Sequence, residues 1–404
     1  MVMQPDGRII AGGSFLPLQS NSIVRLNPDG SRDASFNTIV GYSAGSVQLD
    51  PSGKILIAGA FSSVNGIPRP GVARLNPDGT LDESFNPGSI LSLPYKTGVR
   101  SMKLQPDGKV LIGGALTNVA GFKRSGIARL DSTGALDESF NVDLGTNSLV
   151  RHLALLDDGK MYIAGSFTNV NGINCDRIAR LNPDGSLDTS FSPSLEVGDD
   201  WVGPLALQPD GKLVVVCQLG IVRLNSDGSA DASFGASTLL SSGIIYAITL
   251  QRDGRMIVGG SFTTNSGVAY NGILRLNADG SIDNNFNPGA GPSSTYVVHS
   301  YVTSSLIQPD GKIIVGGDFL AFNGVTRNHI ARLDGDPYLN VAMQGDQAVF
   351  YWPTSYVNFN LQSTTNLMSS DGWSNVPGVP APADESYFVT NNIDGGTRFY
   401  RLNR

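Results

Sequence analysis

Few side chains in this sequence are equipped for catalysis, and they form no catalytic pattern. Three histidines (His152, His299, His329) and two cysteines (Cys175, Cys217) are spread over 404 residues. No Ser-His-Asp order, nucleophile elbow, HExxH word, phosphate-binding loop or dinucleotide fingerprint runs through them. The cysteines lack zinc spacing, and two cannot build a disulfide framework, although one bridge between them stays open. Two stretches do gather chemistry. SLEVGDDWVG sets Glu196, Asp199 and Asp200 beside Trp201, an arrangement that suits a sugar or a cation. TYVVHSYVTS brings Tyr296, His299 and Tyr301 to where one strand face could carry all three. Each has a plainer reading: a solvated acidic loop for the first, aromatic packing between sheets for the second. A glycosidase needs only two carboxylates in a cleft, so a carbohydrate-active hydrolase or lyase stands as the alternative to a binding protein.

The bulk numbers narrow the partners. The net charge is −7 and no basic stripe exists, which argues against nucleic acid. No run of 18 apolar residues occurs, so no helix of membrane-spanning character is expected. Forty-nine Gly and 22 Pro sit in regularly spaced words, which marks turns rather than disorder.

Those words are the elements that must position any site. One reads QPDGKVLIGGAL at 105–116 and recurs with turn glycines Gly7, Gly53, Gly108, Gly159, Gly211, Gly254 and Gly311. The other reads LNPDGSLDTSF at 181–191 and occurs six times in all. The period is about 51 residues, the range of solenoids, propellers and arrays. Asn-Pro-Asp-Gly is type I turn chemistry with Gly in the left-handed bulge position. The flanking runs are Val, Ile and Leu of strand length. Each repeat therefore reads as a four-stranded antiparallel meander, a to d. Seven such sheets set radially make a β-propeller.

A three-residue loop places one arginine opposite one aspartate, eight residues on, in six repeats. The predicted structural pairs are Arg25 and Asp33, Arg74 and Asp82, Arg129 and Asp137, Arg180 and Asp188, Arg223 and Asp231, and Arg275 and Asp283. Opposed charges across two strands contribute roughly 0.2–1 kcal/mol each. The phenylalanine that ends the word (Phe36, Phe85, Phe140, Phe191, Phe234, Phe286) is expected to pack between blades. Asn27, Asp29, Ser31 and Asp33 have the rhythm of a calcium loop, but Gly falls in the fourth place and no bidentate Glu follows. Plain turn chemistry accounts for every residue, so no cofactor or metal is expected.

Spacings within hairpins barely vary, whereas those between hairpins do. The b–c link is thirteen residues in five repeats, ten in the first and four in the fifth. The b–c and d–a links should leave one end of a meander together, making that end the working face for a protein or glycan. The short fifth link should leave a notch beside Trp201.

Residues 1–335 are thus assigned to a seven-bladed propeller and 336–404, with short strands such as AVFYWP and RFYRLNR, to a small β-sandwich. The fold class is all-β. The two words resemble the bacterial delta-sixty repeat, a β-propeller family of large exported proteins. The tail, with FNLQSTTNL, WSNVPG and TRFYRLNR, is similar to the immunoglobulin- or fibronectin-like module of secreted bacterial proteins. The resemblance implies a secreted or cell-surface protein and carries over no functional residues. It is departed from at VVVCQL in repeat 5 and by the lack of an export signal, which is expected upstream together with a strand to close blade 7. The function expected is an extracellular adhesion or binding scaffold. The alternatives are the enzyme above and a structural spacer in a larger surface protein.

Overall fold

Each QPDG and NPDG word turns the chain through a three-residue loop. Asn27 N–H donates to Ser31 O at 2.8 Å and Gly30 N–H to Asn27 O at 2.8 Å. Gly30 has φ +88°, which a side chain would resist. The first word of the repeat turns in the same way, from Gln4 N–H to Arg8 O. The computed structural model describes all residues except 14–21, 93–97, 176, 194–201, 218–219, 236–242, 263, 266–267, 270, 295–299, 336–338, 346, 354–358, 366–371, 379, 384–385, 393–397 and 404. No α-helix occurs among the described residues.

The chain divides into two compact units, Met1–Leu306 with Val315–Ala331, and Ile307–Ile314 with Arg332–Arg404. The first is a β-propeller built from repeated antiparallel sheets in the order a–b–c. Inner strands a lie at Val2–Met3, Ser46–Leu49, Val99–Leu104, Leu149–Leu155, Val202–Leu207, Ile245–Leu250 and Tyr301–Ile307. Strands b, such as Val110–Gly114 and Met256–Gly260, are buried along their whole length, since neighbouring sheets cover both faces. Each core cluster mixes two repeats: Phe36 and Ile10 of the first pack with Ile55, Ile57 and Leu75 of the second.

Two expectations need correction. Strand d is not a strand: it shrinks to a single bridge, Leu26 with Arg32 and its equivalents through Leu276 with Ile282. The aspartate ends it by capturing the N–H and hydroxyl of the serine two residues on, which folds the chain into a turn. The b–c links are likewise not irregular loops. They fold back as two-stranded hairpins, for example Ser63–Val64 with Ile67–Pro68 and Asn169–Asn174 through Val170–Ile173. Their tips, Asn65-Gly66, Ala120-Gly121, Asn171-Gly172 and Asn323-Gly324, all have positive φ at both residues, the type I′ signature. Repeat 5 has no such hairpin among the described residues: Leu213–Cys217 pairs directly with Gly220–Leu224.

In the second unit, one sheet joins Asn340–Gln344, Gln347–Pro353, Ser386–Asn392 and Ala381–Ala383, and another joins Ser374–Asn375, Asn360–Thr364 and Phe399–Asn403. They share one core around Trp352, Phe350, Leu361 and Val389.

Candidate functional site

The arginine–aspartate positions come first because they hold the repeats together. Arg25 Nε donates to Asp33 Oδ2 at 2.7 Å, Arg74 to Asp82 at 2.6 Å, Arg129 to Asp137 at 2.8 Å, Arg180 to Asp188 at 2.7 Å, Arg223 to Asp231 at 2.8 Å and Arg275 to Asp283 at 2.8 Å. Each carboxylate also meets a second cation that follows the first turn glycine: Lys54 on Asp82, Lys109 on Asp137, Lys160 on Asp188 and Lys212 on Asp231. These lysines are not among the predicted pairs, although each stands directly after the turn glycine of its repeat's first word. The guanidinium also lies over the phenylalanine of its own repeat, 4.8 Å from the Phe36 centroid and 4.6 Å from that of Phe140. Its Nη1 reaches into the next repeat. Arg25 donates there to Pro77 O, Arg74 to Ser132 O, Arg129 to Pro183 O, Arg180 to Ser226 O and Arg223 to Ala278 O, at 2.6–2.9 Å. In the exposed turn, Asp29 Oδ1 accepts from Ser31 N–H and Oγ–H, so these side chains bond one another.

The same contacts set the acid limit of the protein. The Ser35 hydroxyl and amide, with Arg25, draw Asp33 down to about 2. At Asp82 burial pushes the other way, and is outweighed by hydrogen bonds from Lys54, Ser84 and Arg74, so this carboxyl also lies well below the usual range. A carboxyl depressed in the folded state contributes stability that is complete above its unfolded value, about 3.9. That stability is lost as pH falls toward the folded value. The thermal midpoint should therefore hold from neutrality to about pH 4 and fall between about pH 4 and 2. A midpoint that collapses already between pH 7 and 5 would refute this account.

The second feature is a cavity of about 850 Å³ along the inner strands, lined from all seven repeats. Its basic side chains come from two neighbouring inner strands, Arg100 and Lys103 on one and Arg151 and His152 on the other. Arg100 and Arg151 hold the same register position, because each strand carries a bulge there, between Val99 and Ser101 and between Val150 and His152. A bulge re-aims its extra side chain. The equivalent bulge residue in repeat 6 is Tyr246, and it too lines the cavity. No aspartate or glutamate lines the cavity among the described residues. The effect of the crowding shows at His152, which burial, then Arg151 and Lys103, pull down to about 4. In repeats 3, 4 and 6, counting eight residues back from the turn glycine finds the bulge position, and so Arg100 and Arg151, from sequence alone.

The third feature is the hairpin end of the propeller. Ile67, Phe122, Ile173 and Val325 each follow the tip glycine and stand 36–52% exposed at equivalent places in four repeats.

The family described as "Domain of unknown function (DUF5122) beta-propeller" matches residues 4–36, 51–85, 105–140, 156–191, 208–234, 251–286 and 308–336, together more than half of the chain. The chain belongs to the DUF5122 β-propeller family. Its seven matched segments are the seven repeats described above. Solved structures repeat this fold at low identity. The extracellular domain of the putative one-component system BT4673 from B. thetaiotaomicron superposes with TM-score 0.51 at 14% identity, over 97% of this chain and 51% of that one. PorZ, described as a bacterial surface component of the type-IX secretion system of Porphyromonas gingivalis, gives 0.51 at 12% identity, over 98% and 56%. A streptogramin B lyase gives 0.52 at 14% identity, over 83% and 95%. This DUF5122 chain thus spans about half the length of the first of these. No curated protein matches its sequence.

Of the predicted ligand residues, Glu196, Asp199, Asp200, Trp201, Tyr296 and His299 lie outside the described residues. The period of two along a strand already sets Tyr296 on the opposite parity to His299 and Tyr301. Tyr301 is described. It opens an inner strand, its ring lies 5.3 Å from that of Tyr246, and burial and then Asp318 raise its hydroxyl. With Asp318 and His329 it lines a second cavity of about 410 Å³. Neither Cys175 nor Cys217 is in a disulfide.

Proposed function

We propose that this DUF5122 propeller is an extracellular binding protein of the bacterial surface, with its hairpin end as the face that adheres to a protein partner. The observation that carries this reading is the repeated display of Ile67, Phe122, Ile173 and Val325. A single exposed apolar side chain needs no explanation, but one at the equivalent place in four hairpins keeps apolar area in water at a defined position. The propeller neighbours that are extracellular or surface components support the location. The two-sheet C-terminal unit is read as the immunoglobulin-like module that accompanies such exported proteins.

The test is to screen labelled protein against immobilised surface-protein and glycan panels, beside a variant carrying Ile67→Ser, Phe122→Ser, Ile173→Ser and Val325→Ser. A protein hit weakened at least tenfold in the variant, with the thermal midpoint kept, supports the reading. Silence on the protein panel, or a hit the variant keeps, overturns it.

A further inference from the structure

We propose that the inner cavity of the propeller is a binding site for a small oxyanion-bearing ligand, one that presents carboxylate, sulfate or phosphate groups to Arg100, Lys103 and Arg151. The site is separate from the hairpin face and does not depend on it.

Three observations converge. The first is charge placement. The protein carries a net charge of −7, yet Arg100, Lys103 and Arg151 are gathered on two adjacent strands of a cavity that no carboxylate lines among the described residues. Elsewhere in the propeller the rule is the reverse, with each buried arginine of strand c answered by an aspartate at 2.6–2.8 Å. The second is an unused donor. Arg151 Nε is buried and meets no hydrogen-bond partner among the described residues. A buried guanidinium donor without an acceptor costs free energy, so its presence asks for an acceptor from outside. Burial, then Arg100, bears on Arg151, and burial on Lys103. The third is construction. Arg100 and Arg151 occupy the same bulge position on neighbouring inner strands and both line the cavity, so the fold brings two guanidinium-bearing residues to one wall, and guanidinium groups suit planar oxyanions.

The rest of the lining fits a polar guest. Thr249, Thr303, Ser304 and Ser305 supply hydroxyls from the sixth and seventh repeats. Thr249 and Ser305 are already bonded to each other at 2.7 Å, which fixes that wall. Gln48 is held by Leu104 N–H at 2.7 Å and Ser101 by Leu153 N–H at 3.2 Å, so neighbouring repeats are knitted at the cavity and its width is set. A volume of about 850 Å³ lies within the usual range of ligand sites, roughly 300–1,000 Å³.

A ligand site and a merely structural cluster differ in a paired outcome. Unanswered cations repel one another and resist burial, so replacing them should not harm the empty protein. Calorimetric titration with citrate and with inorganic phosphate, with glucose as the neutral control, would be run on the whole chain and on Arg100→Gln/Arg151→Gln and Lys103→Gln variants. The expected result is binding of at least one anion and not of glucose, weakened tenfold or more in the double variant. Each variant should have an unchanged or higher thermal midpoint without ligand. Citrate binding without phosphate binding assigns a polycarboxylate; the reverse assigns a phosphate-bearing ligand. Failure of both anions to bind, or equal binding by the double variant, overturns the proposal. A variant that unfolds instead of holding its midpoint overturns it as well, since the cations would then be structural.

Discussion

Replacing one carboxylate, Asp283→Ala, is expected to cost about 3–5 kcal/mol of folding stability, the range for breaking a buried ion pair from one side. Asp283 Oδ2 is met by Arg275 Nε at 2.8 Å, Arg275 Nη2 at 2.7 Å and Arg255 Nη1 at 3.3 Å. Arg275 is only 1% exposed, so its charge cannot recover water when the carboxylate goes. For a protein whose net stability is about 5–15 kcal/mol, that is a large fraction of the whole. Guanidinium unfolding would measure it, with Asp279→Ala as the comparison. Asp279 sits in the exposed turn of the same repeat and gives up only its local bonds to Ser281, worth about 1 kcal/mol. Adding Arg275→Met to Asp283→Ala should return much of the loss, because an apolar chain replaces the stranded charge. A single-variant cost under about 1 kcal/mol would mean that the pair decorates the blade rather than holding it.

An effect of comparable size is expected from one methyl group. At Gly165 a Cβ would stand 1.9 Å from Leu149 O and 3.0 Å from Val150 Cα. Both are backbone atoms of the paired inner strand, which cannot yield as a side-chain tip could. The same approach recurs at Gly59, 2.0 Å from Ser43 O, and at Gly260, 2.2 Å from Ile244 O. Gly165→Ala should therefore cost more than about 3 kcal/mol, beyond ordinary overpacking, because the strand pair itself must part. Gly45→Ala is the control. Nothing lies within 4 Å of its Cβ position, so it should stay within about 0.5 kcal/mol of the parent. Equal costs for the two substitutions would show that the close approach is not what selects glycine.

Much of this is legible in the amino-acid sequence. The turn words fix the hairpins because Asn-Pro-Asp-Gly admits few backbone paths, and an eight-residue offset across a three-residue loop brings Arg180 to Asp188. What escaped was of two kinds. The Asn-Gly tips at 65–66, 171–172 and 323–324 are strong hairpin signals, but they lie in links whose lengths vary between repeats, and variation suggested loops. The inner-strand cations escaped because Arg100 and Arg151 look like surface residues in a strand of period two. The bulge that turns them into the cavity adds one residue to that period. Repeat 5 shows how far local sequence reaches. Cys217 replaces the glycine of the close approach, and there the ladder passes from Val202 to Leu205, omitting two residues where other repeats omit one.

The reach of five of these arginines into the following repeat ends on a main-chain oxygen, borne by Pro77, Ser132, Pro183, Ser226 or Ala278. A carbonyl is the same whatever side chain it carries. Adjacent units therefore recognise one another without reading each other's identity, and always in the same direction along the chain. Such a joint tolerates drift on its receiving side and accepts a duplicated or transplanted unit without a compensating change. A gene that copies this segment whole receives a working connector with every copy. Exchange of entire repeats between family members should be far better tolerated than exchange of half repeats, which would sever the arginine from its own aspartate.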